Sequence, residues 1–248
     1  MGWGSRRFCG ARAVRRYGLV ALCSALLFGL VTWQVAADGA VRGLDERLGR
    51  GVAGSAVPGP LAQFFADLGE ATVALPVLLA AAGWTVWRTR RGPGRVWSAP
   101  VAAVGALAAV PALVVPFKVW LDRPGPPRMA GVHEGFYPSG HGATAAVAYG
   151  LVALLLLRAH AGRRRLAGIR VARLVVAGTG LLNAGVGLGL VRQGYHWPLD
   201  VLGGWCLAGV LLPLWCMVCD RWDRWAGGRD TGPRPAPADT GGVGAGTG

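Results

Sequence analysis

Six uncharged, apolar stretches separated by clusters of arginine constrain this chain more tightly than any other feature. They span residues 18–37, 71–87, 96–117, 142–157, 174–191 and 201–219. Each comes near the roughly 17–25 residues that a helix needs to cross a bilayer. The fourth is the shortest, and a helix that starts at Tyr137 makes up the difference. A hydrophobic fraction of 53% is more than a soluble fold ordinarily carries. The sequence therefore predicts an all-α polytopic membrane protein, a bundle of six transmembrane helices.

Charge then orients the bundle. Nineteen of the 26 basic residues fall in four segments: before the first span, between the second and third, between the fourth and fifth, and after the sixth. Basic residues favour the cytoplasmic side, so both termini are expected in the cytoplasm and loops 38–70, 118–141 and 192–200 outside. The net charge of +14 is thereby explained by topology, with anionic inner-leaflet lipid as partner. Nucleic acid is not expected as a partner, because the arginines form no stripe and accompany no nucleic-acid motif. Tryptophans mark the same boundaries, with Trp84, Trp87 and Trp97 around one cytoplasmic loop and Trp120 and Trp197 at the outer face.

The first span exceeds the roughly 7–15 apolar residues of a secretory signal and is expected to be retained. None of the five cysteines lies in an outer loop, so no disulfide framework is implied. Three regions result: a basic cytoplasmic N-terminus over 1–17, a membrane domain over 18–225 and a disordered cytoplasmic tail over 226–248. The tail is Gly, Pro, Thr, Ala and Asp without apolar periodicity. Part of loop 38–68 suits a short amphipathic surface helix.

The residues with chemical potential gather in two of the outer loops. In Pro138-Ser139-Gly140-His141, Ser139 suits the cap of the helix that follows, and Gly140 lets backbone N–H groups approach an anion. His141 then stands in the first turn, where the helix dipole favours negative charge. His196 and Asp200 are spaced i, i+4 and share a face on a helical turn. A carboxylate behind an imidazole fixes its tautomer and stabilises the cation formed when the other nitrogen is bonded. Lys118 closes the third span at the same face and is suited either to snorkel to the interface or to neutralise a phosphoryl oxygen.

In this order the residues resemble the type 2 phosphatidic acid phosphatase (PAP2) superfamily, also called the lipid phosphate phosphatase and vanadium haloperoxidase superfamily, in its membrane branch. The resemblance covers residues 117–204. The family's pattern is Lys-x6-Arg-Pro, Pro-Ser-Gly-His and Ser-Arg-x5-His-x3-Asp. It implies His196 as nucleophile, His141 as general acid, Asp200 as the partner of His196, and Lys118, Ser139 and Gly140 as phosphate-binding elements. No cofactor and no metal are implied. The chain departs from the pattern twice: Gly125 and Leu190 stand where the family has arginine, and Gly189 where it has serine. Arg123, Arg128 and Arg192 lie close by, and Arg123 and Arg192 are expected to bind phosphate in their place. A two-residue shift on a helix turns a side chain by about 200°, so Arg192 can substitute only if its helix has already ended.

The resemblance implies a plasma-membrane, multi-pass phosphatase with its site facing outside. It would hydrolyse a lipid phosphate or polyprenyl diphosphate through a phosphohistidine intermediate. The rival reading is a weak or inactive relative that binds lipid phosphates or a partner protein, motivated by Gly125 and Leu190. A transporter is disfavoured, since no broken-helix pair or intramembrane chain of ionisable groups is visible. Oligomeric state is left open.

Overall fold

The computed structural model describes residues 11–89, 97–132, 134–160 and 165–229. These form α1 (Ala11–Ala36), α2 (Ala40–Ala53), α3 (Gly59–Asp67), α4 (Ala71–Thr89), α5 (Ser98–Leu121), α6 (Gly140–His160), α7 (Arg165–Arg192) and α8 (Pro198–Arg229), with one 3₁₀ turn at Pro127–Met129. Among the described residues there is no strand, and six helices (α1 and α4 to α8) are long and apolar enough to cross a membrane. The all-α, six-span architecture is as the apolar runs require.

Helix α6 is the axis of the bundle. Its run of Ala143, Ala145, Ala146, Val147, Ala148 and Gly150 is buried. Such small side chains let α4, α5, α7 and α8 pack closely around it, which is how helices associate when lipid removes the hydrophobic drive between them. Where α8 crosses the start of α6, Gly204 is obligatory, because a Cβ there would lie 2.7 Å from the Ser139 carbonyl oxygen. Helix α1 packs on α8 from outside and exposes Leu19, Leu22, Leu26 and Leu30, a helical-period stripe suited to lipid. Pro76, Pro111, Pro116 and Pro213 lie inside spanning helices, where neighbouring helices can re-satisfy the freed backbone groups.

The segment between the first two spans holds two short helices. In α2 the apolar Val41, Leu44 and Leu48 face outward, while Asp45 and Gly49 are buried against the bundle. That inverts the usual amphipathic arrangement and suits a helix lying in the membrane interface. Helix α3 packs along α7, with Ala62 and Ala66 inward and Leu61 and Phe64 exposed.

Two expectations differ at the edges. Helix α8 continues to Arg229, past the point where the tail was placed, and Trp197 is buried in the bundle, not at an aromatic belt. Trp87, Trp97, Trp120, Trp222 and Trp225 are exposed near helix ends. Residues 1–10, 90–96, 161–164 and 230–248 lie outside the described residues, and with them much of the expected arginine bias and the terminal tail.

Candidate active site

Connection lengths bring the end of α5, the start of α6, the end of α7 and the start of α8 to one end of the bundle, where α2 and α3 also sit. Lys118 is one turn from the end of α5. Asp122 ends that helix with φ of 40°, a left-handed conformation that aspartate tolerates better than most residues. The chain thereby reverses and Arg123 turns inward.

At the start of α6 the Ser139 hydroxyl accepts the Gly142 N–H at 3.1 Å, the capping bond that satisfies one orphan donor of the first turn. Ser139 is fully buried, and its own N–H donates to the Asp200 carbonyl oxygen at 2.8 Å. That bond fastens the α6 turn to the α8 turn. His141 follows on the accessible side, and its ring centroid is 6.2 Å from that of His196. Lys118, His141 and His196 all line one cavity of about 290 Å³, together with Phe136, whose ring meets His196 edge-on at 5.8 Å.

Behind His196 stands Asp200. Its Oδ2 is 3.5 Å from His196 Nδ1 and accepts the Trp197 N–H at 2.9 Å. The His–Asp separation is beyond a good hydrogen bond, leaving Nδ1 buried without a donor or acceptor partner. Catalytic hydrogen bonds are often long in unliganded proteins and tighten in the complex. The other oxygen of Asp200 accepts from Arg123 at 2.5 Å.

Arg123 is the largest departure from expectation. Its guanidinium is not on the cavity wall; it is 1% exposed and lies between two carboxylates, Asp200 and Asp45, the latter at 2.6 Å. Asp45 in turn accepts the Leu199 N–H at 2.8 Å. Burial pulls the Arg123 cation down, but the two carboxylates outweigh it and hold the side chain charged. Burial pushes the Asp45 carboxyl up, partly offset by the bond from Arg123. Arg123 is thus occupied by protein anions and is not free to clamp a ligand.

Arg192 also differs. Its Nε and one terminal nitrogen donate to the carbonyls of Val57 and Ala53 at 3.0 and 2.7 Å, so it ties down the α2–α3 connection. Its helix ends at Arg192 itself, so the side chain leaves in another direction than the cavity of Lys118 and His141. It lines a second cavity of about 290 Å³ with Arg50, Arg128 and His196. Arg128 donates to Gln193 and lies over the Tyr195 ring at 4.9 Å.

The two positions where the family has arginine are Gly125 and Leu190, the second of which lines the cavity of Lys118 and His141. A Cβ on Gly125 would lie 2.6 Å from the Phe136 ring, and Leu190 is packed among Ala66, Ala145, Tyr149 and Val186. Three carboxylates, Asp67, Glu70 and Glu134, line the first cavity and were not singled out from the sequence. Asp45 was also passed over; its only signal is its spacing of four from Gly49, the position where Trp197 presses within 2.6 Å of a built Cβ.

Two imidazoles across a cavity, a lysine beside them and a carboxylate behind one of them form the candidate site of a polytopic membrane protein. The family model of the PAP2 superfamily matches residues 99–225, half of the chain, and the chain belongs to that superfamily. Membership supports phosphatase chemistry in general. The fold is similar to the crystal structure of a transmembrane PAP2 type phosphatidylglycerolphosphate phosphatase from Bacillus subtilis. The two share 22% identity with a TM-score of 0.67, covering 82% of this chain and 96% of that one. No curated protein matches the chain.

Proposed function

We propose that this chain hydrolyses an amphiphilic phosphate ester at the outer face of the plasma membrane, through phosphohistidine on His196. The observation that carries the reading is the pairing of His141 and His196 across a cavity they share with Lys118, with Asp200 behind His196. His196 attacks phosphorus as the ester P–O bond breaks, and His141 gives its proton to the leaving oxygen. Water, deprotonated by His141, then attacks the phosphoryl group, the N–P bond breaks and orthophosphate is released. Lys118 supplies positive charge to the phosphoryl oxygens. The bound N-terminus of α6 adds its dipole to the same place. No metal enters this scheme.

A lipid is favoured over a soluble ester because Lys118 is followed on α5 by Val119 and Trp120, both strongly exposed on the side of the bundle. A substrate can therefore reach the cavity with its chains still in the bilayer. Phosphatidic acid, phosphatidylglycerol phosphate and a polyprenyl diphosphate all have the required chemistry. The arginine clusters favour cytoplasmic termini and an outward site.

The test is phosphate release by detergent-purified protein from a panel of these lipids with chelator present, wild type against His196→Ala. Turnover lost in the variant is the expected result. Absence of turnover on every substrate, from folded protein, would favour the rival reading of a lipid-phosphate-binding relative. One observation supports that rival: among the described residues the cavity holds Asp67, Glu70 and Glu134 but no arginine.

A further inference from the structure

We infer that Asp45 of α2 is a positioning residue that acts through Arg123 and Asp200 to stabilise the cationic form of His196. The inference rests on the phosphohistidine reading for its catalytic meaning, but its electrostatic content stands on geometry.

Four groups form a buried line from α2 to the cavity. Asp45 accepts from one terminal nitrogen of Arg123 at 2.6 Å, Arg123 donates from the other to Asp200 at 2.5 Å, and Asp200 stands 3.5 Å from His196. Asp45, Arg123, Asp200 and His196 are each at most 5% exposed. Charge counting shows what Asp45 adds. Arg123 paired with Asp200 alone is neutral, and an imidazolium formed beside that pair would be an uncompensated buried cation. With Asp45 the three groups sum to one negative charge, and the cation makes the set neutral. A single guanidinium between two carboxylates thus leaves Asp200 able to respond to the charge on His196 when Nε2 takes the phosphoryl group.

The packing of α2 is shaped to deliver this carboxylate. One turn on, Gly49 lets Trp197 lie where a Cβ would stand, so α2 rests directly on the turn that carries His196. Asp45 also accepts the Leu199 N–H, fastening the same turn. Asp45 accepts with both oxygens, Oδ2 from Arg123 and Oδ1 from Leu199, so asparagine keeps one acceptor and loses the charge together with the other, whereas glutamate keeps both oxygens and the charge.

Other charged groups also face His196. They are Lys118 of α5, His141 of α6, Asp67 of α3 and Glu70 just after it, Glu134 of the loop before α6, Arg50 of α2, Arg128 of the 3₁₀ turn and Arg192 of α7. Asp45→Asn leaves all of these charges in place, and Asp45→Glu, which restores the carboxylate, separates loss of the charge from loss of an acceptor.

The experiment compares wild type, Asp45→Asn, Asp45→Glu and Glu46→Gln, the last an exposed-side neighbour paired with Arg42. The titration midpoint of His196 is read by NMR on histidine-labelled full-length protein in detergent, with resonances assigned by His196→Ala and His141→Ala. Turnover is measured on the same samples. Removing a nearby negative charge disfavours the imidazolium, so Asp45→Asn is expected to lower the midpoint by roughly half a unit to one unit. Its kcat should fall ~10–100-fold with KM little changed, and the acid limb of the profile should move to lower pH. Asp45→Glu should recover part of both effects, and Glu46→Gln neither. A loss of activity with an unmoved midpoint would overturn the relay and leave Asp45 a structural residue. A midpoint lowered by Asp45→Asn, in a protein whose wild type turns nothing over, would uphold the relay and reject the phosphatase reading instead.

Discussion

Both ends of the bundle place one arginine against two aspartates, and the two arrangements differ in what surrounds them. At the site end Arg123 joins Asp45 and Asp200 with all three side chains at most 2% exposed. At the opposite end Arg158 of α6 reaches Asp220 and Asp223 of α8 at 3.1 and 2.9 Å, with its side chain 26% and that of Asp223 66% exposed. The second is a staple between two adjacent helices, helped by the Trp215 ring under the guanidinium. The first links α2, the α5–α6 loop and α8 and ends on the candidate nucleophile. The same ionic groups are partly screened by water at one end and buried at the other, next to the candidate site.

Substitutions at the two arginines test that contrast most severely. Arg123→Met would leave two buried carboxylates without a cation, an expected loss of about 3–5 kcal/mol of stability. Thermal unfolding in detergent should show a large fall, with activity gone. Survival of either would mean that the pair is not ionised as described. Lys118→Met should act on the chemistry alone: kcat about 10²–10³-fold lower with unfolding little changed, as for removal of one preorganised oxyanion contact. A large shift in unfolding would instead make Lys118 a structural member of the site end.

The pH profile sharpens the contrast between ends in a different way. The mechanism needs one neutral and one protonated imidazole, so kcat/KM should be bell-shaped between pH 5 and 9. Arg158→Met should leave that bell where it is. Flatness across the range would count against paired histidine chemistry. The smallest effect is the stability of Arg158→Met, expected to lose clearly less than Arg123→Met because Arg158 and Asp223 are partly solvated although Asp220 is buried. A loss as large as that of Arg123→Met would erase the distinction between staple and relay.

The sequence revealed the spans and the two histidine turns because their signals are local. Apolar runs of bilayer length and arginine between them need no knowledge of packing, and Ser139, His196 and Asp200 declare themselves by position at helix starts. Arg123 was legible as a residue near the site but not as a relay. Its partners lie 77 and 78 residues away on either side, and no periodicity joins them. Its assignment to a phosphate assumed that a displaced arginine keeps the same target, whereas two carboxylates reach it first. At Gly125 folding brings the Phe136 ring to 2.6 Å from where a Cβ would stand. Leucine at the second departure lies on the wall of the cavity itself, so that position stays open to the ligand without a cation.

The most direct measurement on the central claim is a rapid-quench single turnover with a phosphate-labelled lipid substrate, followed by alkaline digestion and mass spectrometry. Phosphoryl label on the peptide containing His196, formed and lost within the turnover and absent in His196→Ala, is the expected result. Turnover at full rate with no label on His196, or equal turnover in His196→Ala, would contradict it.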